Sequence, residues 1–145
     1  MVQIIRSGDV IPKVEKVIKP ASNIKMPTEY EFKWNSTKKD LILINSEDND
    51  IVKLKKYDDF FNKLDVNGLG RGNIQRIMNA GFKTIPQILT MTIQDFMKVE
   101  GFKEKMSTKV YNSIHKKLDD VSLPHLMSAS NIFGRGLGSK RIIAI

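Results

Sequence analysis

The chain has 145 residues, with 24 Lys and Arg against 16 Asp and Glu, a formal charge of +8, and no cysteine. That length holds one domain or two small ones. The missing cysteines exclude disulfide scaffolds, thiol nucleophiles and thiolate-bound zinc or iron–sulfur centres, and no apolar run approaches the ~18 residues of a membrane span. Met1 to Gly8 shows no basic leader followed by an apolar block. The expected setting is therefore intracellular, with no membrane partner. The basic excess points to a polyanion partner, although charge alone does not decide it.

Taken in chain order, Val2–Arg6 reads as a strand, Ser7-Gly8-Asp9 as a turn, and Val10–Ile18 as a second strand with Val14 and Ile18 on one face. Pro12 places that strand at an edge. Two strands alone are not independently stable, so this pair looks like the end of a larger sheet. Glu29–Trp34 and Asp40–Ile44 flank the polar run Asn35–Lys39, a hairpin pattern, and Ser46–Asp50 reads as an acidic loop. From Tyr57 the spacing turns helical. Helices are expected over Tyr57–Leu64, from about Gly72 to a cap at Gly81, after Thr84 with Pro86 in the first turn, and after Thr92 with Asp95 closing a capping box. Three more follow, over Lys103–Leu118, from Ser122 with Pro124, and over Ser139–Ile145. The expected class is α+β: a small β segment, then an all-α region.

The strongest signal is a repeat. Gly68-Leu69-Gly70 precedes Arg71-Gly72-Asn73, Ile74 and Ile77, and Gly136-Leu137-Gly138 precedes Ser139-Lys140-Arg141, Ile142 and Ile145. Gly101-Phe102-Lys103, with Lys105, Met106 and Val110, is an imperfect middle copy. This is a helix-hairpin-helix pattern. Glycine permits a tight reversal and close approach to a ligand. The apolar middle residue fills the space between the helices. The amides opening the second helix lack partners and sit at the positive end of its dipole, a ready phosphate site. Arg71, Lys103, Lys105, Arg135, Lys140 and Arg141 stand beside them. Such contacts ignore base sequence. A lysine at a left-handed position costs about 1 kcal/mol relative to glycine, so Lys103 implies a middle hairpin of different shape or purely structural role.

With these residues in place, the sequence resembles the bacterial-type, NAD-dependent DNA ligases. Arg6-Ser7-Gly8-Asp9-Val10-Ile11-Pro12-Lys13-Val14 is similar to "R-A-G-D-V-I-P-x-V" near the end of that family's OB-fold. Leu64-Asp65-Val66-Asn67-Gly68-Leu69-Gly70 resembles its "M-D-I-x-G-L-G", Thr84 and Leu89–Phe96 its "T-x-x-D-L-x-x-L-T-x-x-x-L", and Gly101–Ser107 its "G-F-G-E-K-S-A". The resemblance implies three parts: terminal OB-fold strands over 1–20, a metal-free hairpin and linker over 21–56 in place of a four-cysteine zinc finger, and a tandem helix-hairpin-helix domain over 57–145 with its third hairpin truncated. The hairpin is expected to be held by Tyr30, Phe32, Trp34 and aliphatic packing. His115 and His125 form no metal site.

The resemblance further implies a non-catalytic DNA-binding portion, or a viral or phage split subunit, that holds nicked double-stranded DNA during replication and repair. The family's adenylated lysine stands in "K-x-D-G"; Lys63-Leu64-Asp65-Val66 lacks its glycine. NAD and Mg²⁺ then belong to the complete ligase, with no zinc and no cofactor held by this chain, and the adenylation and OB-fold portion is a separate or missing partner. The expected place is the cytoplasm or nucleoid, including that of an infected host. Two alternatives stay open: a helix-hairpin-helix module of a nuclease or junction-binding protein, and a subunit whose sheet edge completes a partner's OB-fold.

Overall fold

Alternating β-branched residues pair β1 (Val2–Ser7) with β2 (Ile11–Val17) as an antiparallel ribbon. The computed structural model describes residues 1–7, 11–23, 25–44, 47–134 and 137–144. The turn expected at Gly8-Asp9 lies outside them. Val2 faces Val17 and Ile4 faces Val14, which leaves Glu15 as an extra residue on β2. This bulge reverses the side-chain parity. Val14 therefore shares its face with Val17, not with Ile18 as the simple alternation suggested. Val2, Ile4, Val14 and Val17 are all exposed.

A second ribbon joins β3 (Phe32–Trp34) to β4 (Leu41–Leu43). Its connection is organised by Asn35. The Asn35 Oδ1 accepts from Thr37 Oγ1 at 3.0 Å and from the Lys39 and Asp40 amides at 3.0 and 3.3 Å. Its Nδ2 donates to Asp40 Oδ2 at 2.8 Å. Of the aromatics expected to pack here, Phe32 is half-buried and pairs across the ribbon with the half-buried Leu43. Tyr30 is 37% exposed and Trp34 46%. The ladder and the Asn35 bonds add to that packing. Both ribbons fall in one unit, Met1–Ile44.

The second unit, Asn45–Ile145, holds the core. Its first helix, α1 (Asp50–Lys63), starts well before the expected Tyr57. The acidic stretch supplies the start signal: Asn49 Oδ1 accepts from the amides of Ile51 and Val52 at 2.9 and 3.3 Å. Asp50 sits in the first turn, where the helix dipole favours an anion. The helix buries Leu54, Tyr57, Phe60 and Phe61. Burial, and then Asp50, push the Tyr57 phenol above its ordinary value, and its hydroxyl donates to the Lys83 carbonyl at 2.7 Å.

Then come α2 (Arg71–Asn79), α3 (Ile85–Leu89), α4 (Ile93–Met97), α5 (Glu104–Asp120), α6 (Leu123–Ser130) and α7 (Ser139–Ile142). Gly81 ends α2 as expected. With φ +102° it lets its own amide reach the Met78 carbonyl and the Phe82 amide reach Ile77, a double closure of the last turn. Phe61, Ile74, Ile77, Ile88, Phe96, Val110 and Ile114 are buried together. Among the described residues no helix is long and apolar enough to cross a membrane.

Both short helices carry reciprocal capping boxes, Thr84 with Gln87 and Thr92 with Asp95. Lys98 and Thr92 pull the Asp95 carboxyl down to about 2. A depressed folded value stabilises the fold above about pH 4 and is lost as pH falls through it. Asp95→Asn should thus lower the melting temperature at pH 7 and matter progressively less toward pH 2. An equal loss at both ends of a pH series of thermal melts would count against the capping role.

Candidate nucleic-acid interface

The first hairpin lies between α1 and α2. The chain leaves α1 through Asp65, whose φ of +55° is left-handed. Its carboxylate meets Lys117 Nζ at 2.6 Å, which holds the carboxyl below its ordinary value. The Asn67 amide donates to Ser113 Oγ at 2.8 Å. Gly68 then adopts φ +90°, and a Cβ on it would come within 3.0 Å of Val110 Cγ2. Leu69 is 1% exposed and plugs the space between the helices. Gly70 is extended, at φ −76° and ψ 166°, and is the N-cap of α2. Arg71 and Gly72 follow, exposed.

The second hairpin, between α4 and α5, repeats this path. Gly101 has φ +78°. Phe102 is buried and stacks on Phe96, with ring centres 6.1 Å apart. Lys103 has φ −110° and ψ 169°, so it is not left-handed. The expectation of a reshaped middle hairpin is thereby corrected. In these two hairpins only the first position needs glycine's freedom, and the third is an extended N-cap open to any residue. Lys103 and Lys105 are exposed at the start of α5. Where the first copy has Ile74, this one has Ser107, fully buried and with no hydrogen-bond partner for its hydroxyl.

In the third hairpin, Gly138 has φ −78° and ψ 168° and caps α7. Leu137 and Ser139 are half-buried, and Lys140 and Arg141 are exposed. Arg135 and Gly136 lie outside the described residues. α6 ends at Asn131, left-handed at φ +54°, whose side-chain Nδ2 donates to Asp59 Oδ2 at 2.6 Å and whose Oδ1 accepts from Lys63 Nζ at 3.1 Å. Lys63 also pairs with Asp59 at 2.8 Å. His125 donates from Nε2 to the Lys63 carbonyl at 2.8 Å, closing the end of α1. His115 packs on Tyr111 along α5.

The helix starts fall into two kinds. α1, α3 and α4 are capped by the side chains of Asn49, Thr84 and Thr92. The three helices that follow hairpins, α2, α5 and α7, have no side-chain cap. Ser122 before α6 makes no capping bond either, but it carries the hydroxyl for one. At Gly70, Gly72 and Gly138 a Cβ would meet nothing within 4 Å, at ordinary backbone angles. The fold itself therefore does not require glycine at these three positions. Open amides, exposed cations and empty space together suit an incoming anion.

Two residues were missed by sequence reasoning. Asn73 Nδ2 donates to the Gly68 carbonyl at 2.9 Å, and Arg76 Nη1 donates to Asn73 Oδ1 at 3.5 Å. That same Nη1 lies 3.0 Å from where a Cβ of Gly101 would be. A polar chain thus runs from one left-handed glycine to the other. The repeat gave no hint of it, because the positions matching Asn73 are Met106 and Arg141. Among the described residues no three His, Asp or Glu groups converge on a cation.

The chain is 38% identical over 141 residues to a DNA ligase of Acanthamoeba polyphaga mimivirus, covering 97% of this chain and 22% of that protein. It is 29% identical over 142 residues to a putative DNA ligase of Invertebrate iridescent virus 3, covering 98% and 18%. A DNA ligase of Shewanella baltica is 36% identical over 120 residues, covering 79% and 18%. The chain thus spans about a fifth of the length of these relatives. No family model matches it, and no solved structure does. The resemblance to DNA ligases, viral and bacterial, is borne out.

Two substitutions test the packing. Gly68→Ala should destabilise by at least about 1–2 kcal/mol, from the left-handed backbone and the Val110 contact together. Ser107→Ala should stabilise by about 1 kcal/mol by removing an unsatisfied buried hydroxyl. Urea unfolding of each variant reads both signs.

Proposed function

We propose that this chain is the DNA-gripping portion of an NAD-dependent DNA ligase, holding nicked duplex through phosphate contacts that ignore sequence. The observation that supports this best is that α2, α5 and α7 all start without a side-chain cap, at α2 and α7 beside glycines whose side-chain space is open. Hairpin amides at α2 and α5 donate to phosphate oxygens, with Arg71, Lys103 and Lys105 supplying charge. The single turn of α7 contributes less dipole, so Gly138, Ser139, Lys140 and Arg141 act through loop amides and side chains. Relatives named DNA ligase favour this reading over a nuclease or junction-binding module.

NAD and Mg²⁺ chemistry is assigned to the remainder of the ligase. There a lysine would take AMP from NAD with release of nicotinamide mononucleotide, the AMP would pass to the 5′-phosphate, and the 3′-hydroxyl would displace it as the nick is sealed. The apolar face of Val2, Ile4, Val14 and Val17 is where further OB-fold strands, in cis or from a separate catalytic chain, would pack. On this reading the present residues grip and orient the duplex, and they perform no bond-making step.

Fluorescence anisotropy with nicked duplex at several salt concentrations tests the proposal. Affinity should fall linearly on a log–log plot, and joint replacement of Arg71, Lys140 and Arg141 by Ala should lower the slope by about 1 per lost contact, equally for all sequences. Gly70→Ser separates fold from function. Serine is the better N-cap by a few tenths of a kcal/mol, so the variant should melt no lower than the parent. Yet its hydroxyl would take the amides that phosphate needs, and binding should weaken. Salt-insensitive binding, or none, overturns the proposal.

A further inference from the structure

Beyond Lys105, α5 carries cations that the hairpins do not use, Lys109 and Lys116. Its inner face buries Ser107, Val110 and Ile114. One flank, formed by Met106, Val110, Ser113 and Lys117, seats the first hairpin through Gly68, Asn67 and Asp65. Beside that flank, Lys105, Lys109, Asn112 and Lys116 recur at helical spacing and form one exposed stripe. Among the described residues Lys63, Lys98 and Lys117 are paired with Asp59, Asp95 and Asp65, whereas no ion pair engages Lys105, Lys109 or Lys116. No acidic residue interrupts the helix from Lys105 to Lys116; Asp119 and Asp120 close it beyond. Between the Asn67 loop and α5 lies a groove of about 350 Å³, lined by Asn67, Lys109, Asn112, Ser113, Lys116 and Lys117.

We propose that this groove and its lysine stripe hold backbone phosphates of the same duplex that the first hairpin grips, so that α5 is a second rail for DNA. The inference rests on the DNA-binding reading and extends it to residues outside the hairpins. Lys109 and Lys116 stand about 10 Å apart along the helix axis, a span that covers two or more phosphates of one strand. Every residue of the lining carries a polar or charged group, so no aromatic or aliphatic side chain offers an anchor to a protein partner, whose interface cores are depleted in lysine. Lysines are point charges on flexible stems, suited to phosphates whose positions vary with the duplex. The stripe begins at the start of α5, where the second hairpin ends, and passes the first hairpin midway. It therefore joins two anion sites that would otherwise be separate.

The test is nicked-duplex binding by the full chain across a salt series, for the parent, for Lys109→Gln with Lys116→Gln, and for Lys38→Gln with Lys39→Gln as an equal loss of charge elsewhere. The stripe variant should lower the salt slope by about 2 and weaken affinity on the order of tenfold at low salt, with an unchanged melting temperature. The Lys38 and Lys39 variant should keep the parent slope. If the parent binds and the stripe variant binds with the same slope, this inference fails while the hairpin reading stands. If the parent does not bind, both fail. Equal losses in the two variants would show a net-charge effect and overturn the rail. Inorganic pyrophosphate that competes with the parent for the groove without altering duplex binding would assign the lysines to a free anion and overturn it too.

Discussion

The contact on which the helical unit depends is the seat of Gly68 against α5. A left-handed turn at φ +90° brings the backbone to within reach of Val110, at a distance that no side chain on residue 68 could share. Everything around it is set by that approach. Leu69 enters the gap between helices, the Asn67 amide reaches Ser113, and Asp65 reaches Lys117. Gly70 is thereby left extended and outward, at the mouth of α2. The anion-binding role proposed for the loop follows from this packing, because the turn that buries Leu69 is the one that leaves Gly70 exposed at the start of α2.

This divides the glycines of the repeat into two physical kinds. Gly68 and Gly101 are demanded by the fold, through positive φ and a filled Cβ position. Gly70, Gly72 and Gly138 are not, since their Cβ positions are empty and their angles ordinary. Lys103 in the place of Gly70 is the natural control. It takes the same extended conformation without strain, which shows that the third position tolerates a side chain as far as packing is concerned. What separates the copies is the access each leaves to its amides. A lysine there narrows the approach and supplies a charge in exchange.

Much of this was legible in the sequence. The helix order, the Thr84 and Thr92 caps, the Gly81 stop and the Leu69 and Phe102 plugs follow from local chemistry that acts within a few residues. The start of α1 was missed because Ser46–Asp50 reads as acidic loop, and only Asn49's bond to two amides shows it to be a cap. The Val14 partner was missed because a one-residue bulge at Glu15 inverts parity, and a bulge has no signature in an alternating run. The Lys103 error had another origin. Treating the two glycines of each hairpin as equivalent assigned a left-handed angle to a position that is extended in every described copy. The Asn73–Arg76 chain was invisible because it joins residues of two hairpins that the repeat alignment treats as parallel, not as neighbours.

That chain also explains why the first two hairpins behave as a pair and the third does not. Arg76 stands on the helix that leaves the first hairpin and fills the Cβ space of Gly101 in the second. The two loops therefore approach each other through Arg76. The third hairpin is tied instead through Asn131 and His125 to α1, by polar bonds at the surface. Its α7 buries no side chain, and Leu123, Phe133 and Ile143 remain exposed beside it. Surface hydrogen bonds stabilise less than a filled core does. The two cored hairpins are thus the rigid element, and their amides are held in place before any ligand arrives. On the proposed reading, a phosphate meeting them costs little reorganisation.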